Sequence, residues 1–298
     1  MNLYICSIFM TAKILAAQPV VESIKHNLFE RCKTLKAQGA HPSMCVVLVG
    51  NNPASLSYVK NKRKMCEEIG AKFHLEHMPE SVSPMDFLER LEALNKDPCI
   101  NGIIIQLPVP EQLKHLPLPN LVNPHKDIDG FHGLNTQKIY LGTTDLSLLL
   151  PCTPKGIINL LHYYGIELKG KNVVVIGRSL IVGKPLSMLL SNFDATVTLA
   201  HSQTKELREL TKRADIVISA IGKGHFIDDT YFDSTKKTII IDVGMNTLNG
   251  KITGDVKQED VKEVVSAMTP VPGGVGPMTV ISLIENLISA TENQLRGK

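Results

Sequence analysis

The stretch VVVIGRSLIVGKP, Val173 to Pro185, constrains this chain more than any other. Apolar, mostly β-branched residues run into a turn opened by Gly177, and after Gly183 and Pro185 the segment Leu186 to Phe193 has a helical apolar repeat. The pattern predicts strand, glycine turn, helix. In such a turn the backbone N–H groups at the helix N-terminus face outward with no side chain in the way, and the helix dipole favours an anion there. The phosphates of a dinucleotide suit that place. The spacing departs from G-x-G-x-x-G, because Ser179 stands at the second glycine position and only Gly177 and Gly183 remain. A plain turn between a buried strand and a helix would read the same way.

The residues that follow favour the nucleotide. Ala195 to Thr204 alternates like a second strand, TKELRELTKRA reads as a helix, and Asp215 to Gly222 and Thr238 to Met245 read as further strands. Strands alternating with helices call for a parallel sheet with crossovers. In such a sheet the end of the second strand lies beside the adenosine ribose, where a carboxylate would accept the 2′-hydroxyl of NAD. Here that place reads His201, Ser202, Gln203, Thr204, Lys205. Hydroxyl, imidazole and ammonium groups suit a 2′-phosphate instead, and Arg178 in the turn offers a second cation. The expected cofactor is NADP.

At 298 residues and 43% hydrophobic content the chain is long enough for two domains, each with a core. A net charge of +3, with basic residues scattered except at Lys60 to Lys64, argues against nucleic acid as a partner. Cys6, Cys32, Cys45, Cys66, Cys99 and Cys152 form no CxxC pair, so they read as reduced thiols and neither zinc nor a disulfide framework is expected. The opening MNLYICSIFM lacks a basic segment and a long apolar core, which makes it a poor secretory signal and leaves the cytoplasm as the expected location; Met1 and Met10 both stand as starts. No stretch approaches the length a membrane span needs, so no membrane partner is expected.

In the first half, Lys13 to Gln38 has a helical pattern closed by Gly39, and Cys45 to Gly50 is a short buried strand. Asn52 and Pro53 open a helix that runs to about Ile69, with Gly70 as its stop. Ser55, Tyr58 and Lys62 share one face of it. That face is either a solvated basic surface or an aromatic and an amine turned toward a ligand. Gln106 sits at the carboxyl end of the strand Gly102 to Ile105, where open α/β sheets place ligand groups, although a glutamine capping loop backbone would sit there too. The loop Asn123 to Gly133 carries Asp127, Asp129, His125 and His132; Asx-turns would account for a carboxylate, and the histidine spacing fits no helical metal pair. A helix opening at Thr153 and Pro154 marks a domain boundary near Pro151, and the dense glycine and proline loop Thr269 to Thr279 precedes a terminal helix, Val280 to Leu295. That loop suits either close backbone approach to a ligand or a hinge.

Together YVKNK (Tyr58 to Lys62), QLPVP (Gln106 to Pro110), DIDGFH (Asp127 to His132), PCTPKG (Cys152 to Gly156), GRSLIVGKP (Gly177 to Pro185) and PVPGGVGPMT (Pro270 to Thr279) resemble the bifunctional methylenetetrahydrofolate dehydrogenase and cyclohydrolase family. The resemblance runs from about Ala12 to the end, and departs from the family at ILAAQPV and in the residues before Ala12. It implies two α/β domains with an active-site cleft between them: a folate-binding catalytic domain (1–150), a Rossmann-type NADP domain with a parallel sheet (151–279), and a C-terminal helix (280–298) packing back on the first. It also implies a homodimer and tetrahydrofolate derivatives as substrates, with any polyglutamate preference open. Carried onto matching positions, Lys62 is the catalytic lysine, Tyr58 the aromatic that packs on folate, Gln106 the partner of the lysine and Asp129 the pterin anchor. Gly177, Arg178, Ser179, Gly183, His201 and Ser202 would hold NADP, and Pro272, Gly273 and Gly276 would border the substrate. A sensor that keeps the fold without catalysis, or an NADP dehydrogenase of another small acid, are the competing readings; neither needs an aromatic, an amine, an amide and a carboxylate together in the first domain.

Overall fold

The structure, a computed structural model, describes residues 11–297. Both candidate starts, Met1 and Met10, lie outside the described residues. By internal packing the chain forms two units, one of residues 11–18 with Leu160–Gly276, the other of Pro19–Asn159 with 277–297. In chain order the elements are β1 (Lys13–Ile14), α1 (Gln18–Ala37), β2 (Ser43–Val49), α2 (Pro53–Ile69), β3 (Lys72–Met78), α3 (Pro84–Lys96), β4 (Gly102–Ile105), α4 (Leu118–Leu121), α5 (Gly133–Tyr140) and α6 (Cys152–Tyr163). There follow β5 (Asn172–Ile176), α7 (Gly183–Asn192), β6 (Thr196–Ala200), α8 (Leu207–Arg213), β7 (Ile216–Ser219), β8 (Ile239–Asp242), the hairpin β9 (Asn246–Leu248) and β10 (Lys251–Thr253), α9 (Gln258–Val261), β11 (Ala267–Met268) and α10 (Val275–Arg296).

Among the described residues one unit holds a six-stranded sheet in the order β1-β11-β8-β7-β5-β6, and the other a three-stranded sheet in the order β3-β2-β4. Both are parallel throughout. Parallel strands covered on both faces need continuous apolar runs, and β2, β5, β7 and β8 supply them with Val, Ile and Leu. After β5 the chain moves to β6 on one side and then to β7 on the other, so the order reverses at the carboxyl end of β5, the place where such sheets bind ligands. Val174, Ile176, Val217, Ile240 and Met268 anchor the core of this unit; Val47, Phe87, Leu91 and Ile103 anchor the other. Each such buried side chain stabilises its unit by about 1.5–3 kcal/mol relative to exposure.

Local chemistry sets the ends of α2 as the residues predict, and a side-chain cap starts α3. The Asn52 side chain accepts from Ala54 N and Ser55 N, and Gly70 closes α2 at φ 84. Ser83 accepts from Asp86 N at 3.1 Å while donating to the Asp86 carboxylate at 2.7 Å.

Two expectations are corrected. The first helix begins at Gln18 rather than Lys13, because Pro19 has no N–H to donate and is tolerated only in a first turn. The residues before it pair instead with β11: Lys13 N donates to Ser266 O at 2.9 Å and Leu15 N to Met268 O at 2.8 Å. These residues therefore belong to the six-stranded unit, not to the N-terminal one. The last helix begins at Val275 rather than Val280, since Pro277 falls in its first turn, where the missing N–H costs nothing. Gly276 is thus helical rather than part of an open loop.

Candidate active site

Helix α2 turns the face bearing Ser55, Tyr58 and Lys62 toward the carboxyl end of β4. Ser55 is buried and its hydroxyl donates to Leu107 O at 3.4 Å. One helical turn on, Tyr58 keeps 39% of its surface exposed. A further turn brings the Lys62 ammonium to 2.8 Å from Gln106 Oε1. The Gln106 amide is itself fixed: its Nε2 donates to Leu107 O at 2.8 Å and its backbone N donates to Val47 O at 2.9 Å. Oε1 is therefore held facing the lysine. Desolvation pushes the Lys62 pKa below its ordinary value, against the opposing pull of the Asp129 carboxylate.

The loop after β4 separates its two carboxylates by role. Asp127 is buried and accepts from Gly130 N at 3.0 Å, His132 N at 2.8 Å and Asn135 Nδ2 at 2.9 Å. It shapes the loop as an Asx residue does. Asp129 is free of that task. Burial, reinforced by the neighbouring Asp127, lifts its pKa to about 6 in spite of the Lys62 charge nearby. A cavity of about 150 Å³ beside it is lined by Ile103, Ile105, Leu107, Leu118 and Phe131, an apolar wall with carboxylates at one edge. His132 Nδ1 accepts from Leu134 N at 3.0 Å as the N-cap of α5. Among the described residues no three His, Cys, Asp or Glu side chains gather as a metal site would require.

In the six-stranded unit Gly177 follows β5 at φ 123, and a Cβ there would collide with the Ala220 carbonyl; a Cβ on Gly183 would collide with the Gly177 carbonyl. Only glycine closes this turn. Ser179 Oγ accepts from Val182 N at 3.2 Å and Gly183 N at 3.4 Å, which leaves its own proton to donate outward. Arg178 is exposed beside it. At the end of β6, His201 Nδ1 accepts from Gln203 N at 3.2 Å and its backbone N donates to Thr204 Oγ1 at 2.8 Å, so the exposed Ser202 projects from a pinned turn. This backbone cradle with cations and hydroxyls at the second strand fits NADP. Pro272 and Gly273 lie in the turn between β11 and α10, Gly273 at φ 103 and its carbonyl accepting from Ala17 N at 2.8 Å.

Two family models match this chain: the catalytic domain of tetrahydrofolate dehydrogenase/cyclohydrolase over residues 15–129, and its NAD(P)-binding domain over residues 151–295. The chain belongs to the tetrahydrofolate dehydrogenase/cyclohydrolase family. It is 47% identical to bifunctional protein FolD 2 of Lactobacillus johnsonii, over 95% of this chain and 98% of that protein. The crystal structure of the bifunctional FolD enzyme of Campylobacter jejuni, 40% identical, superposes with a TM-score of 0.91 over 95% of this chain and 99% of that one. FolD from Trypanosoma brucei, solved with NADP cofactor and an inhibitor, is 29% identical with a TM-score of 0.90, over 96% and 99%.

For a member of this family the structure groups the expected residues in two sets. Tyr58, Lys62, Gln106 and Asp129 come together in the three-stranded unit; Gly177, Arg178, Ser179, Gly183, His201, Ser202, Pro272, Gly273 and Gly276 belong to the six-stranded unit. Sequence reasoning passed over Cys152, whose thiol lies beside Asp129 and donates to Ile128 O at 3.3 Å. Its own pKa stands well above the ordinary thiol value through burial and the Asp129 charge, so it remains a donor. Its place in PCTPKG was visible; what it touches was not.

Proposed function

We propose that this chain oxidises 5,10-methylenetetrahydrofolate to 5,10-methenyltetrahydrofolate with NADP and hydrolyses the product to 10-formyltetrahydrofolate. The observation that carries the reading is the 2.8 Å bond from a desolvated Lys62 to a neutral amide, Gln106, with Asp129 alongside. A carboxylate in place of Gln106 would hold the lysine charged; the amide orients it and leaves its pKa free to fall.

The Gly177–Gly183 turn would hold NADP, with Arg178, His201 and Ser202 toward its 2′-phosphate, and the nucleotide would supply the hydride acceptor. Tyr58 packs on the folate ring system and Asp129, as a carboxylate, accepts paired N–H groups from the pterin. Fixing the folate aligns the methylene C–H, and that alignment is the larger part of the first step, since the adjacent nitrogen lone pair expels the hydride. The resulting methenyl carbon is cationic and open to water. Lys62, as a neutral amine, takes one proton of the attacking water; it returns that proton to N5 as the C–N5 bond breaks, and the carbinol hydroxyl releases the other to solvent as the formyl C=O forms. Pro272, Gly273 and Gly276 border the substrate.

Folate handling is assigned to the unit of residues 19–159 with 277–297, and NADP binding to the unit of residues 11–18 with 160–276. The reading extends to a cytoplasmic homodimer, with no nucleic-acid or membrane partner, whose 10-formyl product suits purine biosynthesis.

The test follows reduced nicotinamide and the methenyl species together, with NADP or NAD, in wild-type and Lys62→Met protein. Wild type should reduce NADP with only transient methenyl. The variant should hydrolyse methenyl about a hundredfold to ten-thousandfold more slowly while still binding folate. Hydrolysis at the wild-type rate in Lys62→Met removes the lysine from its role, and no reduction by wild type with either nucleotide removes the function.

A further inference from the structure

Behind Asp129 lies a buried polar cluster that the mechanism above does not use. Lys155, in α6, is 1% exposed, and its ammonium donates to Asn286 Oδ1 at 2.9 Å. Asn286, in α10, is fully buried, and its Nδ2 donates to both Ile128 O and Leu150 O at 2.8 Å. The Cys152 thiol donates to the same Ile128 oxygen at 3.3 Å. That oxygen belongs to the peptide from which Asp129 departs.

Three features make this a built arrangement rather than incidental contact. Gly130, at φ 80, lies so close to the Leu150–Pro151 peptide that a Cβ would overlap it, which presses the Asp129 loop onto the start of α6. A Cβ on Gly156 would meet Met278 backbone at 2.9 Å, so α6 and α10 touch nearly backbone to backbone. Thr153 and Thr279 bond at 3.0 Å and Asn159 donates to Glu285 at 3.0 Å on either side of the Lys155–Asn286 pair. An asparagine amide can present oxygen or nitrogen in either direction. A buried ammonium on one side requires the oxygen there, and both N–H groups then face the two carbonyls.

We propose that Lys155 and Asn286 are positioning residues for Asp129: the buried amine fixes the Asn286 amide, and the amide holds the Ile128 peptide so that the Asp129 carboxylate stands where a pterin can reach it. This rests on the folate reading of Asp129 given above. It places substrate recognition under the control of the last helix, more than a hundred residues away in the chain.

Asn286→Asp separates positioning from mere structural support. The aspartate gives the buried Lys155 an ionic partner but offers no N–H pair to Ile128 and Leu150. Support alone predicts a lower melting temperature, because two buried carbonyls lose their donors, with both KM values unchanged. Positioning predicts in addition a KM for 5,10-methylenetetrahydrofolate raised about tenfold or more and an unchanged KM for NADP. A second measurement is independent of turnover: in the full-length Lys155→Met chain, amide hydrogen exchange at Gly130 and His132 should quicken about tenfold while β2 amides keep their rates. A wild-type folate KM in Asn286→Asp, folate and NADP constants rising together, or unchanged exchange at Gly130 and His132 in Lys155→Met would each overturn the inference. If wild type itself turns over no folate, the functional reading falls, and the exchange result alone decides whether Lys155 and Asn286 order the Asp129 loop.

Discussion

The two sets of candidate residues are built by opposite means. On the nucleotide side the structure is made by backbone close in sequence: Gly177, Ser179 and Gly183 shape one turn, and His201 to Thr204 another, with bonds spanning three or four residues. On the folate side it is made by side chains far apart in sequence: Lys62 meets Gln106 across 44 residues, and Asn286 reaches Ile128 across 158. A backbone cradle tolerates no added atom but asks little of its surroundings. A side-chain cluster tolerates changes in shape at its rim but depends on burial for the pKa values that its chemistry uses. In the proposed mechanism the nucleotide side recognises, and the folate side both recognises and reacts.

This contrast can be broken by substitution. Gly183→Ala should be the most damaging to the nucleotide side, because the new Cβ meets the Gly177 carbonyl and the turn must open. NADP affinity should fall about a hundredfold, or about 3 kcal/mol, measured by fluorescence titration. Folate binding should be unaffected; a parallel loss of both would show that the two sides are not separately built. Asp129→Ala should weaken folate about thirtyfold, or about 2 kcal/mol, leaving NADP unchanged in calorimetry. The wild-type folate affinity should also decline as pH drops through about 6, where the Asp129 carboxylate gains a proton and loses its paired acceptors, and this decline should be absent from the alanine variant. Ser202→Asp should cost NADP about fivefold, or about 1 kcal/mol, through repulsion of the 2′-phosphate, while NAD loses less. Equal losses would mean that the end of β6 does not face that phosphate.

The same contrast explains what could be read before the structure. Strand, turn and helix near Gly177 were legible because the residues that shape the turn are adjacent, and a β-branched run has few other uses. Helix ends at Asn52 and Gly70 were legible for the same reason. The short strand Lys13–Ile14 was not, since its hydrogen bonds go to β11, more than 250 residues away, and its two residues carry no periodicity. The division of labour between Asp127 and Asp129 was left open by a loop in which either could form an Asx-turn; only the three donors converging on Asp127 settle it. Lys62 stood on a helix face that could have been mere solvated surface. What distinguishes it is the amide 2.8 Å away, and sequence spacing does not print that distance. Lys155 and Asn286 carried no local signal, because a buried lysine is recognisable only by what surrounds it.

The central claim is that Gln106, by being neutral, leaves the Lys62 amine able to lose its proton. The most direct test is the pH profile of methenyltetrahydrofolate hydrolysis in Gln106→Glu. A carboxylate 2.8 Å from the amine would stabilise the ammonium and raise the Lys62 pKa, so the rising limb of the profile should move to higher pH and the rate near neutrality should collapse. An unchanged profile with a wild-type rate would contradict the claim, and would mean that the proton of the attacking water is taken by some group other than Lys62.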